Sequence, residues 1–212
     1  MQEIKTTSIY KQSLRERIVV TAMTLFARSG IRAVKMDDIA QQLGISKRTL
    51  YEVYENKEVL LFEGLRRYKE QQRADFEQML SGGHSVMDII MAFYRRKVEE
   101  LRMTSPLFFS DIERYPRIVE YLEADKDRVL ARLTSFLERG AAEGYFRSDL
   151  DFAFVAYLTT VIPQHVVNAY LENYCAEDIM HNLILVTIRG ICTQRGIDVL
   201  DEFMNTQHTP AT

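Results

Sequence analysis

Lys47, Arg48, Thr49 and Tyr51 fall within five consecutive positions and bring together two cations, an alcohol bearing a methyl group, and a phenol. An arginine can meet a guanine edge through two parallel hydrogen bonds, and a threonine can touch a thymine methyl or a phosphate. Lysine ammonium and tyrosine hydroxyl groups suit the sugar–phosphate backbone. Ser46 stands directly before this group, and Lys57 opens the next helical stretch, where its charge would join the free amides of a helix start to grip a phosphate. Lys35, further upstream, adds another cation for the same backbone. Catalytic patterns are missing. His84, His165, His181 and His208 are scattered, and Asp178 with His181 makes only half of a carboxylate-bridged metal site. No catalytic residue, metal or cofactor is expected, and the chemistry is that of contact with a polyanion.

Such side chains work only if the backbone aims them. Ile39, Ala40 and Leu43 put apolar groups on one side of a short helix over Met36–Leu43, with Ala40 small where a second helix must cross. Gly44 can take the positive φ of a tight turn, and Ile45 tucks beneath it. Ser46 can cap a second short helix over Lys47–Tyr54 through the amide near Thr49. Leu50 and Tyr54 then face inward, leaving Lys47, Arg48, Thr49 and Tyr51 outside. This is the layout of a helix-turn-helix, whose second helix offers its first residues to a DNA groove. Upstream, Leu14, Ile18, Ala22, Leu25 and Phe26 give a third helix one buried face, ended by Ser29-Gly30.

At these residues the chain resembles the tetracycline-repressor (TetR) family of bacterial regulators. The likeness is carried by Phe26-Ala27-Arg28-Ser29-Gly30, Met36-Asp37-Asp38-Ile39-Ala40, Leu43-Gly44-Ile45-Ser46-Lys47, Thr49-Leu50-Tyr51 and Asn56-Lys57-Glu58, across roughly residues 12–65. It implies a three-helix DNA-binding head, a linking fourth helix and a bundle that makes a homodimer. Two positions depart from the family pattern. Lys35 stands where a capping Thr or Ser is usual, and Val53 stands where a Tyr or His is usual, so Val53 is given no DNA role.

The rest of the chain agrees with this division. Residues 1–60 carry 10 Lys/Arg against 7 Asp/Glu, and residues 61–212 carry 17 against 23, so a basic head precedes an acidic body. Helical periodicity dominates, and the expected fold is all-α: a head over 1–60, and a ligand-sensing and dimerisation bundle over 61–212. Helices are expected at about 57–80, 85–103, 106–114, 116–141, 150–173 and 177–195, with a short last segment after Gly196. The start of the chain lacks the apolar stretch of a signal peptide, Phe152–Ile162 is too short to cross a bilayer, and two cysteines without a partner motif suit the cytoplasm.

Phe152, Phe154, Val155, Tyr157 and Leu158 surround their helix, as do Ile179, Leu183, Leu185, Val186 and Ile188 theirs. A helix apolar all round needs cover on two sides, so homodimerisation through about 150–173 and 177–195 is expected. An effector pocket in the bundle would draw on Met87, Met91, Tyr94, Phe108, Phe109, Tyr121, Phe136, Tyr157 and His165. The function expected is a sequence-specific, DNA-binding transcriptional regulator, a repressor released from a palindromic operator by a small molecule. The alternatives are a non-specific DNA-architectural or protein-binding helical module and, further off, a helical-bundle enzyme.

Overall fold

The computed structural model describes the backbone of residues 2–170, 174 and 176–207, and the side chains of 12–162, 174 and 178–206. Eleven α-helices follow one another among these residues: α1 (Gln2–Ser29), α2 (Met36–Leu43), α3 (Lys47–Val53), α4 (Lys57–Ser81), α5 (Val86–Met103), α6 (Pro106–Ile112), α7 (Pro116–Glu123), α8 (Lys126–Ala142), α9 (Phe152–Tyr170), α10 (Ala176–Leu183) and α11 (Gln194–Gln207). The described residues hold no strand beyond an isolated bridge between Phe146 and Cys192. None of their helices is long and apolar enough to cross a membrane.

The chain divides into two compact units, 1–74 with 103–119, and 75–102 with 120–212. In the first, Leu14, Ile18, Ala22 and Phe26 of α1 are buried with Ile39 and Ala40 of α2, Leu50 of α3, Tyr54, and Leu60, Leu61 and Leu65 of α4. The apolar face expected of α1 is therefore its core face, although Leu25 is only half-buried. Two features enlarge this unit beyond the 1–60 head. Gly64 lets α4 lie close under Met23, so packing on α1 continues past residue 60. The chain also returns to α1 through α6, where the Ser105 amide donates to the Ala27 carbonyl at 2.7 Å.

In the second unit α8 packs along α9, and α9 against α10. Arg139 fastens the end of α4 within it. Its Nη1 donates to the Leu80 carbonyl and its Nη2 to that of His84, while Nε holds Glu143, whose other oxygen accepts from the Val86 amide. Tyr94 meets Phe203 edge-on and Phe76 lies against Phe136, each pair 5.5 Å apart.

Helix ends depart from expectation in four places. Helix α1 reaches back to Gln2 through a polar stretch with no apolar periodicity to announce it. The single helix expected over 116–141 is broken at Ala124-Asp125, where neither glycine nor proline stands. The 177–195 helix loosens into a π turn at Ile184–Ile188 and a 3-10 turn at Arg189–Ile191, across Ile184-Leu185-Val186-Thr187-Ile188, in which every residue but Leu185 is β-branched. The segment after Gly196 lies in a 14-residue helix, α11.

Gly140 sits beneath the buried Phe146 ring, and a Cβ there would overlap the ring. Gly140→Ala is expected to destabilise the protein by about 1–3 kcal/mol, read by thermal or urea unfolding. Tyr54 is buried with its hydroxyl unpartnered. Tyr54→Phe is therefore expected to leave stability unchanged or raise it by about 1 kcal/mol in the same assay.

Candidate nucleic-acid interface

The turn between α2 and α3 is closed by its own backbone. Gly44 takes φ 66° and ψ 30°, its amide donates to Gln41, and the amide of Ile45 reaches the Ala40 carbonyl at 3.0 Å. These paired bonds satisfy the last carbonyls of α2 and turn the chain sharply, and a Cβ in their left-handed residue would strain it. Ser46 follows in extended conformation and caps α3, its Oγ accepting from the Thr49 amide at 3.0 Å. The Ser46 and Thr49 hydroxyls are 2.8 Å apart. Leu50 drives into the core and Ile45 is half-buried, so the other side of α3 faces outward.

On that side the structure gathers the residues expected there. Arg48 has 89% of its side chain exposed, and its Nε donates to Glu52 one helical turn on, at 2.9 Å. Lys47 pairs with Asp37 of α2 at 2.9 Å and lies 5.9 Å from the centre of the Tyr51 ring. Tyr51 is exposed and Thr49 is half-buried. Hydrogen bonding to Asp37 and Glu52 raises the pKa values of Lys47 and Arg48, so both stay charged at any physiological pH. Lys35 stands at the start of α2 with no side-chain cap. Asp38 supplies the reciprocal bond, accepting from the Lys35 amide at 2.7 Å, so part of the lost cap is recovered.

Lys57 departs from the expected phosphate position. Its Nζ donates to the carbonyls of Ile31 and Val34, each at 2.8 Å, and more distantly to that of Arg32. The ammonium is thus spent on the loop that leads into α2. Burial pushes its pKa down, with the carboxylate of Asp111 acting the other way. Asp111, on α6, is the one buried charged side chain among the described residues, and it accepts from the Arg32 amide at 2.8 Å. The sequence reading missed Asp111, because a lone acid in Leu107-Phe108-Phe109-Ser110-Asp111 gives no sign that it caps a loop 79 residues away. The start of α4 is capped instead by Asn56, whose Oδ1 accepts from Val59.

A model for "Bacterial regulatory proteins, tetR family" matches residues 18–63, the stretch from α1 to α4 that carries this geometry. The chain is 26% identical over 192 residues to "HTH-type transcriptional repressor KstR2" of Mycolicibacterium smegmatis, covering 87% of this chain and 93% of that one. Residues 18–63 are thus a tetR-family head segment. The structure of the ketosteroid transcriptional regulator KstR2 of Mycobacterium tuberculosis is similar, with TM-score 0.59 and 22% identity over 85% of this chain and 95% of that one. A TetR-family regulator from Agrobacterium tumefaciens aligns at TM-score 0.72 and 18% identity, over 86% of this chain and all of that one. Their shared fold is a helix-turn-helix head with a helical second domain. With that head the protein is a DNA-binding transcriptional regulator.

The residues expected at an effector pocket do not come together as one group. Phe108 and Phe109 lie on α6, in the first unit, because that helix packs on α1; this corrects their placement in the bundle. Met87, Tyr94 and Phe136 are buried in the second unit, and Met91 and Tyr121 are half-buried there. Tyr157 is 44% exposed, beside Lys126. His165 falls outside the residues whose side chains are described.

If Lys57 and Asp111 hold the loop before α2, Lys57→Met and Asp111→Ala are each expected to cost about 2 kcal/mol of stability with no DNA present. Melting curves of the free proteins check this; an unchanged melting temperature would return Lys57 to a role at phosphate alone.

Proposed function

We propose that this protein is a homodimeric tetR-family repressor that binds a palindromic operator through paired α3 helices and leaves it on binding a small apolar molecule. The observation that carries the proposal is the capped helix α3, with Arg48 turned to solvent and Tyr51 partly exposed beside it while Leu50 anchors its back. Lys35, Ser46, Lys47 and Thr49 are the accompanying DNA contacts; in this reading Lys57 serves mainly by bracing the loop. The description of the M. smegmatis relative as a repressor supports the sign of regulation.

Pairing is proposed through α9, α10 and the turns that follow. Helix α8 covers one side of α9, whereas Phe154 and Tyr157 on α9 and Val186 beyond α10 remain exposed. Exposed apolar groups of this size on neighbouring elements suit a two-fold contact. Helix α3 of each head then has to match half-sites about 34–36 Å apart. Helix α4 contributes residues up to Ala74 to the first unit and from Asp75 to the second, so it is the element through which an effector would change that spacing. For the effector, Met87, Met91, Tyr94, Tyr121 and Phe136 offer aromatic and thioether surface in the second unit, which favours an apolar ligand. The protein acts in the cytoplasm, beside its DNA, and catalyses no reaction in this reading.

Selection from a random duplex pool is expected to return a palindrome that stays bound against excess random DNA at moderate salt. Arg48→Ala and Tyr51→Ala are each expected to weaken that complex roughly tenfold or more. Equal affinity for selected and random duplexes would leave only non-specific backbone binding. Separately, Phe154→Glu combined with Val186→Glu is expected to convert the dimer to a monomer in analytical ultracentrifugation while its helical circular dichroism persists.

A further inference from the structure

The ion pair at the tip of α3 is built asymmetrically. Arg48 is held through Nε, at 2.9 Å from Glu52 Oε1, which leaves Nη1 and Nη2 with no hydrogen-bonding partner among the described residues. Both side chains are exposed, 89% and 60%, and both lie on the strip of α3 opposite Leu50. Nothing packs on Arg48 to fix its rotamers, so Glu52 is the group that restrains it. A guanidinium gripped at Nε projects its other two nitrogens as a rigid fork, and a guanine edge presents two acceptors, O6 and N7, at matching separation.

We propose that Glu52 is a positioning residue for operator recognition, holding Arg48 by Nε so that its two terminal nitrogens read a guanine in each half-site. The carboxylate has a second effect. Standing beside the groove, it repels phosphates and so lowers affinity for every duplex, matched or not. Orientation gained at the matched base and repulsion applied everywhere act in the same direction, toward a larger ratio of specific to random binding. Lys47 with Asp37 lacks this division of labour, because an ammonium is a point charge with no fork to aim.

The inference rests on the DNA-binding reading above, and the experiment separates the two. Dimeric wild type, Glu52→Ala, Glu52→Gln, Arg48→Ala and the double variant Arg48→Ala/Glu52→Ala are titrated, across a salt series, with the duplex that the wild type selects, with that duplex changed at each base pair, and with random duplex. Glu52→Ala is expected to bind the selected duplex about tenfold more weakly and to lose preference at the same guanine that Arg48→Ala loses. It is expected to bind random duplex as well as wild type or better. Glu52→Gln, which still accepts from Nε, is expected to regain most of the preference, and in the Arg48→Ala background Glu52→Ala is expected to cost nothing more at the selected duplex. A structural role for Glu52 would weaken both duplexes together, and a purely electrostatic one would strengthen both; either result overturns the proposal. So does an undiminished guanine preference in Glu52→Ala. A wild type that selects no duplex would instead overturn the DNA-binding reading itself.

Discussion

Two adjacent amides must turn back on the helix they have just left before α3 can point anywhere. The amides of Gly44 and Ile45 close on Gln41 and Ala40, and this sets the turn between α2 and α3 through the backbone. The consequences propagate in one direction. With Gly44 in the left-handed region, Ser46 falls into the extended conformation that lets its hydroxyl cap α3, and the cap sets the first turn in register. Leu50 then meets the core formed by Ile18, Phe26 and Ile39. Because a helix advances about 100° per residue, burying Leu50 sends Arg48 to the opposite side, facing water, and leaves Tyr51 on the flank, partly exposed. Two side chains with quite different chemistry are thus oriented by one backbone turn and one leucine.

The same unit shows how a charged group can be used for construction. Lys57 has the position and sign of a phosphate contact, yet its Nζ sits among three carbonyls of the loop 31–34. Carbonyl oxygens in an irregular loop have no ladder to join, and a buried polar group left unpaired costs more than the pairing of an exposed one returns. An ammonium with three protons can satisfy several such oxygens at once. Asp111 does the converse task, accepting from the Arg32 amide of the same loop, and its negative charge offsets part of the cost of burying Lys57. The loop that launches α2 is thereby held by one cation and one anion, from α4 and α6.

Most of the head was legible in the sequence because its determinants are local. Spacing of three and four residues, a glycine before a Ser cap, and the run from Met36 to Tyr54 together specify helices to within a residue, and α2 begins and ends where its pattern does. The fate of Lys57 and Asp111 was not legible, since their partners lie 23 to 26 and 79 positions away, and no periodicity encodes such contacts. Helix α6 posed the same difficulty: Phe108 and Phe109 read as apolar surface for a bundle, but composition cannot say on which helix an apolar face will settle. The break at Ala124-Asp125 was hidden for another reason. It uses no residue that disfavours helix strongly, so only packing decides it.

Charge on the recognition surface carries the last step. The head is only modestly basic by count, and its two most forward cations, Lys47 and Arg48, are each matched by a carboxylate at 2.9 Å. A surface selected simply to hold DNA would leave those cations unopposed, because every neutralised phosphate adds to affinity regardless of sequence. Opposing them sacrifices that general attraction, and the sacrifice is useful only where something other than attraction is being optimised. Exposed ion pairs of this kind contribute little to folding, so stability does not account for them. If Glu52 positions Arg48 as proposed, what that pair alters is the difference between a duplex whose edges match the offered donors and one whose edges do not, and a DNA-binding regulator among many competing sites depends on that difference more than on affinity itself.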